Sequence, residues 1–365
     1  MKVRTQLMVF ILGVVLLGLG TVISLSYTSS RQLLLSEVYG RAENLREKYQ
    51  NAIDGYFNSA SKVALSLSHI VRIDEGITEK QVHQLLQRSV VAHKEIFGLS
   101  IFFQPKPADL RKKLFAPYYY REGQLIKYVP AEHDFKFEKQ SWYYEPKKKA
   151  MPVWTEPYFD PGFDGIVTSY SVPIFRNRGK LEFVGISLID IHLGTLSDDI
   201  NNIQIGKTGY AFLVSHDGVF ITHPEAGKYV LKKKIQDVAK EVNETSFTEL
   251  ASLMLKRKSG ALSVMDPFTK KMSWVTYGTI PSTNYSLAIS VPESELLLSV
   301  NELRRKLFLI SAITIVFIII GIVVISWRIT HPIEALSESA RKIAGGNFDH
   351  EIKSLDSNNE IGNLG

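Results

Sequence analysis

The feature that most constrains this chain is a long uncharged segment, Leu307–Trp327, between Lys306 and Arg328. Isoleucine, valine, leucine and phenylalanine dominate it. Because a helix rises about 1.5 Å per residue, a helix of about 20 residues crosses a hydrocarbon core of about 30 Å. A buried helix of a soluble protein is rarely apolar on every face over that length. The segment is therefore predicted to be a membrane-spanning helix over residues 307–327.

A second uncharged segment covers residues 5–30 and follows two basic residues at the N-terminus. A cleaved signal peptide also begins with basic residues and an apolar stretch. This segment is long for a signal peptide, and no small-residue cleavage motif follows it. An uncleaved anchor is favoured, with a cytoplasmic N-terminus over residues 1–6 and a first membrane helix over residues 7–28.

Two spans would place residues 29–306 on one side of the membrane and both chain ends on the other. Basic residues beside the two chain ends favour cytoplasmic ends. Arg304–Lys306 oppose this orientation, but the rule is weak for a translocated region of this size. The expected location is the inner membrane of a bacterium, with residues 29–306 outside the cytoplasm.

Cysteine content and charge limit the classes that the outer region can belong to. The chain has no cysteine, so no disulfide can stabilise this region and it must have its own hydrophobic core. The net charge of +6 is spread over lysine-rich segments such as Lys147–Lys149 and Lys232–Lys234, which are typical of solvated surface. Aromatic residues do not alternate with these segments, so no nucleic-acid partner is expected.

The outer region begins with helical periodicity and continues with strand-like segments. Apolar residues recur every three or four positions over residues 30–68, which predicts a long stalk helix. Strands are predicted where β-branched and aromatic residues cluster between turn signals such as Glu122-Gly123 and Asp217-Gly218. These strands cover residues 95–104, 114–129, 165–175, 181–191, 209–214, 219–223, 260–265, 271–279 and 285–291. Helices are expected at 235–256 and 293–306, and an irregular aromatic segment precedes residue 165.

This order of elements predicts an α+β fold with two mixed modules behind the stalk helix. The membrane-distal module covers residues 69–195 and the membrane-proximal module residues 200–292; they are called the first and second modules below. A stalk helix of this length packs either along its own domain or along a second copy.

The segment after the second span is again helical. Ile333, Leu336, Ala340 and Ile343 recur at steps of three or four. Pro332 lies in the first turn, where a missing N–H costs little, and glycine ends the helix at Gly345-Gly346. Heptad spacing predicts that the four apolar side chains pack against a partner helix in a parallel bundle. A homodimer through the stalk and inner helices is therefore expected.

Two groups of motifs resemble known families. Residues 328–365 resemble a HAMP domain through Pro332, Gly346-Asn347-Phe348 and Glu360-Ile361-Gly362. The second HAMP helix is cut short at Gly365, so the domain is expected to be truncated. The outer region resembles the double Cache (dCache) sensors, which have a stalk helix and two PAS-like modules. The motifs that carry this resemblance are Ser141-Trp142-Tyr143, Glu156–Asp160, Thr168–Pro173, Gly185–Asp190, Gly209–Phe212, Asp217-Gly218 and His223-Pro224.

The dCache resemblance implies a ligand site in the first module. In members that bind amino acids, an Arg, a Trp and a Tyr hold the carboxylate, and a Tyr and an Asp hold the ammonium group. Trp142 and Tyr143 match the family's Trp-Tyr pair, and Tyr158 matches its later tyrosine. Asp190 best matches the aspartate at the end of the last strand, and Asp160 is a second acidic candidate.

Two positions depart from the family pattern. The family's arginine corresponds to Gln140, and its upstream tyrosine corresponds to Phe135. A guanidinium makes a bidentate, charge-assisted contact about twice as strong as a neutral hydrogen bond, which an amide cannot supply. An amine, an amino acid or a similar small metabolite is therefore expected as ligand. The alternative is that Trp142, Tyr143 and Tyr158 are core aromatics with a satisfied polar tip.

No catalytic residue, metal or cofactor is expected. Gly206-Lys207-Thr208 resembles the end of a phosphate loop, but Asn201 stands where the first glycine is needed. His216, Asp217 and His223 bracket a hairpin turn rather than forming a metal-binding motif.

The sequence therefore predicts a membrane signal-transduction receptor. It also predicts that residues 1–365 are not themselves an enzyme. The signal would pass through the second span and the HAMP segment to an output domain outside this chain. That output would be a chemotaxis signalling domain, a histidine kinase, a serine/threonine phosphatase or a cyclic-dinucleotide enzyme. The alternative is a protein-binding or dimerisation membrane module without a small-molecule ligand. A pocket lined by Trp142 and Asp190 would favour the receptor.

Overall fold

The computed structural model describes residues 3–104, 115–130, 137–177, 179–203, 205–325 and 331–345. Phe135 and Trp327 lie outside these residues. Tyr39–Leu296 form one compact unit, and the segments before and after it form another. The first of these units contains both mixed α/β modules, so the predicted fold class is confirmed.

The stalk helix is part of α1, Val3–Ile73, which ends beyond the predicted end at residue 68. Within the unit Tyr39–Leu296, the buried face of α1 carries apolar residues three or four positions apart, and Val71 still packs in the core. A second helix, α2 (Glu79–Ala92), was not predicted. It begins with a capping box in which the Thr78 hydroxyl accepts the Gln81 N–H and the Gln81 side chain accepts the Thr78 N–H.

The first module contains an antiparallel sheet of seven strands. They are β1 (Gly98–Phe103), β2 (Tyr118–Glu122), β3 (Leu125–Val129), β4 (Val153–Trp154), β5 (Tyr158–Asp160), β6 (Gly165–Asn177) and β7 (Leu181–His192). The order is β3-β2-β1-β7-β6-β4, and β5 pairs with β6. The turn predicted near Glu122-Gly123 is present. The segment predicted to be irregular contains a 3-10 turn, Phe137–Lys139, and a helix, α3 (Ser141–Lys149).

The second module follows α4 (Leu193–Asn201) and contains a five-stranded antiparallel sheet. Its strands are β8 (Tyr210–Val214), β9 (Phe220–Thr222), β10 (Gly260–Met265), β11 (Met272–Ile280) and β12 (Tyr285–Pro292), in the order β10-β11-β12-β8-β9. Its helices are α5 (Ala226–Tyr229), α6 (Ile235–Val242) and α7 (Thr245–Leu255). The single helix predicted over 235–256 is wrong, because Asn243 adopts a left-handed conformation between α6 and α7.

Alternation along β7 separates the two faces of the first sheet. Ile189 and Ile191 belong to the core that α1 covers. Ile186 and Leu188 pack on the other face, in a cluster that includes Trp142 of α3. Asp190 continues this second row, because residues two apart on a strand share a face. The predicted aspartate and the α3 aromatics are therefore on the same side of the sheet.

The chain continues after β12 through α8 (Glu293–Leu296), α9 (Leu298–Ile325) and α10 (His331–Ala344). The helix predicted from residue 293 is therefore interrupted at Leu297. By length and composition, α1 and α9 are both able to cross a membrane. On α10, Ala340 is exposed, and the side chains of Ile333, Leu336 and Ile343 lie outside the described part of the structure.

Candidate functional site

Asp190 is the centre of a buried hydrogen-bond network in the first module. Its side chain is 5 % exposed. Ser169 Oγ donates to Asp190 Oδ1 at 2.5 Å, and Tyr118 Oη donates to Oδ2 at 2.8 Å. Tyr158 Oη lies 2.9 Å from Ser169 Oγ, and it must be the donor there because the one hydroxyl proton of Ser169 is directed to Asp190. Two hydroxyl groups therefore donate to the carboxylate, and a third donates to one of these two.

Strand register and one glycine assemble this network. Asp190 pairs with Gly98 on β1 and with Ser169 on β6, so all three positions lie in one row across the sheet. The Tyr118 side chain reaches Asp190 by passing over Gly98, where an added Cβ would overlap the tyrosine hydroxyl. The Tyr118 ring is also stacked on Phe163 at a centroid distance of 5.4 Å. Gly98 is needed here for close approach, not for an unusual backbone conformation.

The Asp190 carboxyl is electrostatically uncompensated. Burial raises its pKa from 3.8 to about 6, against the lowering effect of the hydrogen bonds from Ser169 and Tyr118. No basic side chain among the described residues contributes to this shift. An ionised carboxylate has about four acceptor positions, and the described residues occupy two of them. The arrangement suits a cation that carries hydrogen-bond donors.

The structure brings two further predicted residues to this site. Tyr158 joins the network through Ser169, and burial raises the pKa of its hydroxyl far above the usual range. Asp160, at the end of β5, accepts the Gly162 N–H at 2.8 Å and so shapes the turn that leads to Phe163. The negative charge of Asp160 also contributes to the raised pKa of Asp190.

The α3 aromatics are packed in the core beside this network. Trp142 is 6 % exposed and Tyr143 is 3 % exposed. The Trp142 and Phe102 rings have centroids 4.8 Å apart, and the same cluster includes Leu188, two residues before Asp190. Burial raises the pKa of Tyr143 to about 12. These two aromatics share the face of Asp190, and their role as ligand contacts stays a prediction.

Gln140 occupies a different environment. It is the N-cap residue of α3, and its backbone carbonyl accepts the N–H groups of Tyr143 and Tyr144. Its side chain is exposed and makes no capping hydrogen bond. The structure therefore does not bring the Gln140 amide into the Asp190 network.

Sequence reasoning missed Tyr118, Ser169 and Gly98. The only local signals are a run of three tyrosines at residues 118–120 and alternating serines at 169 and 171. Neither signal identifies Asp190 as a partner, because Tyr118 and Asp190 are 72 positions apart in the chain.

The second module holds a buried aspartate with similar neighbours. Asp266, directly after β10, is 2 % exposed. Tyr210 Oη and Ser290 Oγ each donate to its Oδ2 at 2.8 Å, and the N–H groups of Phe268 and Thr269 donate to its Oδ1 at 2.8 and 3.1 Å. The space beside it, bounded in part by Tyr210 and Phe247, has no room for a water molecule. This carboxylate is fully used by the protein itself.

A cluster of possible metal ligands lies between the two modules. His216 Nδ1 is 2.7 Å from Glu156 Oε1, and His216 Nε2 is 3.7 Å from Asp217 Oδ1. One imidazole cannot direct both nitrogens to a single ion, so this geometry suits a protonated ring between two carboxylates better than a metal. The hydrogen bond to Glu156 raises the pKa of His216. His223 is not part of this cluster, and burial lowers its pKa to about 4.

The Gly206-Lys207-Thr208 turn is occupied by a carboxylate of the protein. The N–H groups of Lys207 and Thr208 donate to Glu295 Oε2 at 2.6 and 3.4 Å. Gly206 has a φ of +62°, and a Cβ there would overlap the Glu295 carboxylate. This geometry agrees with the expectation that the turn is not a phosphate loop.

Comparisons with protein families match almost the whole chain. The profile of the Cache domain family dCache_1 matches residues 26–300, and the profile of the HAMP domain matches residues 324–365.

Several curated relatives are methyl-accepting chemotaxis proteins. PctB of Pseudomonas aeruginosa is 24% identical over 237 residues, which cover 65% of this chain and 35% of that protein. PscA of Pseudomonas syringae pv. tomato is 23% identical over 340 residues, covering 92% and 48%. TlpB of Bacillus subtilis is 24% identical over 372 residues, covering 100% and 50%. The chain thus spans half the length of these relatives or less.

Solved structures share the fold of the sensor. The extracellular domain of the putative histidine kinase mmHK1S-Z3 has a TM-score of 0.63 and 23% identity, covering 73% of this chain and 98% of that one. The periplasmic sensory domain of the Campylobacter jejuni chemoreceptor Tlp1 has a TM-score of 0.60 and 14% identity, covering 71% and 96%. The ligand-binding domain of Pseudomonas aeruginosa PctB in complex with L-Gln has a TM-score of 0.51 and 17% identity, covering 73% and 98%.

Proposed function

The chain belongs to the Cache domain family of bacterial receptors and carries a HAMP domain, and on that premise we propose that its first module binds a small ammonium-bearing metabolite on Asp190. The observation that carries this proposal is the buried carboxylate with two unused acceptor positions and no basic partner among the described residues. An ammonium group supplies both a positive charge and N–H donors. Amino acids are one such class, and the solved PctB domain holds L-Gln.

The carboxylate half of an amino acid has weaker support. Gln140, in the place of the family's arginine, is exposed and offers only neutral N–H donors. Amines and modified amino acids therefore belong in a ligand screen beside the standard amino acids. Trp142 belongs to the same apolar cluster as Leu188, two residues before Asp190, and would contact the apolar part of the ligand.

The proposed receptor lies in the inner membrane of a bacterium, with α1 and α9 as its spans and the sensor outside the cytoplasm. Ligand binding would favour one of two packings of the sensor, and α9 would transmit this preference to the HAMP helices. The output domain would be supplied by a longer protein, as in the chemotaxis relatives, which extend well beyond the matched region.

Binding measurements on an Asp190→Ala variant test the ligand site. Full chain in nanodiscs is screened by thermal shift against amino acids, amines and organic acids, and hits are measured by calorimetry. Removing one partner of a buried charge pair costs about 2–5 kcal/mol, and a loss of about 3 kcal/mol is about 150-fold in affinity. Asp199→Ala is the control, because Asp199 is exposed on α4, the helix that directly follows β7. Unchanged affinity of Asp190→Ala for every hit would reject the assignment.

Cysteine crosslinking tests the proposed dimer. The chain has no native cysteine, so single substitutions react without background. If α10 pairs with a second copy through Ile333, Leu336, Ala340 and Ile343, Leu336→Cys should crosslink strongly. Glu338→Cys, at an exposed position of the same helix, is the matched control. Equal crosslinking at the two positions would argue against a parallel bundle.

A further inference from the structure

Tyr285 connects the second module to the first through buried hydrogen bonds. It is the first residue of β12 and is fully buried. Its hydroxyl lies 2.9 Å from Thr168 Oγ1 on β6 and 3.2 Å from the carbonyl oxygen of Thr155. Thr168 Oγ1 also donates to that carbonyl at 2.9 Å. The tyrosine hydroxyl, the Thr168 hydroxyl and the Thr155 carbonyl therefore form one buried polar cluster. Thr168 and Thr155 belong to the first module.

The same polar contact continues to the Asp190 site. Thr155 Oγ1 accepts the backbone N–H of Ser169 at 3.0 Å, and the Thr155 N–H donates to the Ser169 carbonyl at 2.9 Å. Ser169 Oγ donates to Asp190. An unbroken series of hydrogen bonds thus joins Tyr285 to Asp190 through Thr155 and Ser169. Every one of these four residues is buried.

Aromatic packing fixes the position of the Tyr285 ring. Phe57 of α1 meets it edge-on at a centroid distance of 5.7 Å and meets Trp154 in the same way at 5.1 Å. Trp154 directly precedes Thr155, so the stalk helix holds both sides of the contact. Because the ring is held by packing, removal of its hydroxyl alone leaves the packing in place and tests the hydrogen bonds.

We propose that Tyr285 is a positioning residue for the Asp190 site, holding Thr155 and β6 where Ser169 can donate to the carboxylate. A coupling between two sites is reciprocal, so a change at Asp190 also alters the stability of β12 at Tyr285. β12 runs directly into α8 and α9 along the chain, so this residue connects the site with the strand that precedes the second span. The role of Asp190 as a ligand site rests on the proposed function, whereas the coupling itself does not require a ligand.

Hydrogen exchange in the absence of any ligand tests this coupling. Amide exchange at residues 285–291 is measured on the full chain in nanodiscs, with and without Asp190→Ala, in the wild-type and Tyr285→Phe backgrounds. Asp190→Ala should accelerate exchange there about threefold or more in the wild type, as for residues of one hydrogen-bond network. In the Tyr285→Phe background this acceleration should disappear.

Tyr210→Phe is the matched control background. It also removes a buried tyrosine hydroxyl from the second module, but that hydroxyl donates to Asp266 and not to the first module. The effect of Asp190→Ala should persist in it. Thr168→Val removes the partner hydroxyl from β6 but keeps the Tyr285 contact with the Thr155 carbonyl, so it should weaken the effect without abolishing it. An Asp190→Ala effect that survives Tyr285→Phe undiminished, or that is absent in the wild type, overturns the proposal. Failure of the ligand screen leaves this result unaffected.

Discussion

The two sheets each bury one aspartate beside a tyrosine and a serine hydroxyl, but they use the two carboxylates differently. Asp190 in the first module accepts from Tyr118 and Ser169 and from no backbone N–H among the described residues. Asp266 in the second module accepts from two such hydroxyls and also from two backbone N–H groups. Similar neighbours therefore leave one carboxylate with spare acceptor capacity and the other with none.

The cause of this difference is the place of each aspartate in its element. Asp266 begins a turn, where the N–H groups two and three residues later point back to its side chain. Asp190 lies inside a strand that is paired on both sides, so the N–H groups around it serve the sheet. A turn satisfies its aspartate locally, whereas a central strand leaves the side chain to other side chains or to a ligand.

The largest expected effect is on stability. Asp266→Ala leaves two backbone N–H groups and two hydroxyls buried without an acceptor, each at about 1–3 kcal/mol, so the free energy of unfolding should fall by about 4 kcal/mol or more. Asp190→Ala should cost much less, because it frees only hydroxyls that rotate and removes a buried charge. Denaturant unfolding of the full chain in detergent compares the two variants, with the exposed Asp199→Ala as control. If Asp190→Ala and Asp266→Ala lowered the free energy of unfolding equally, the two carboxylates would not differ as described.

An intermediate effect concerns pH and Asp190. Because the pKa of Asp190 is about 6 in the folded chain and 3.8 in its unperturbed state, the folded chain binds more protons between these values. Stability therefore falls as pH rises through this window, and the full cost, on the order of 3 kcal/mol, applies above it. Asp190→Asn removes this cost, so its stability relative to wild type should grow from pH 4 to pH 7 without ligand. If the melting temperatures of Asp190→Asn and of the wild type changed with pH in parallel, Asp190 would not be a buried, uncompensated charge.

The smallest effect concerns the Glu156–His216 pair between the modules. The pKa of His216 is raised, so its contribution to stability is present below its ordinary value of 6.5 and is lost as pH rises through the folded pKa. The pKa of Glu156 is lowered, so its contribution is lost in acid. His216→Gln should therefore cost most between about pH 4.5 and 6.5, and less than about 1 kcal/mol because the pair is partly exposed.

A control variant and a second measurement test the role of His216 further. His93→Gln, which alters a His–Glu pair inside the first module, is the matched control for thermal melts. If Tyr285 carries the coupling between Asp190 and residues 285–291, His216→Gln should leave that coupling unchanged. A loss of coupling in His216→Gln would show that the Glu156–His216 contact, rather than the buried contact of Tyr285, carries the coupling.

Elements with a local signal could be predicted from the amino-acid sequence alone. Long apolar segments identified α1 and α9, and a period of two or of three to four residues identified the stalk helix and most strands. Resemblance in short motifs identified the family and selected Asp190. The inferences about helices and strands succeed because hydrophobic periodicity and turn chemistry act over a few neighbouring residues. The helix α2 was not predicted although its capping box at Thr78 and Gln81 is a local signal, and the left-handed conformation of Asn243 divides a predicted helix.

The residues that surround Asp190 became apparent only from the folded chain. Tyr118 reaches Asp190 across 72 positions, and Tyr285 reaches Thr168 across 117. Such contacts depend on strand register and on how the two modules pack, and no local pattern in the chain encodes the pairing of distant segments. The same limit separates Asp190 from Asp266. In the sequence, each is an aspartate near apolar strands. Only the folded structure shows that backbone N–H groups donate to the Asp266 carboxylate, whereas Asp190 keeps unused acceptor positions.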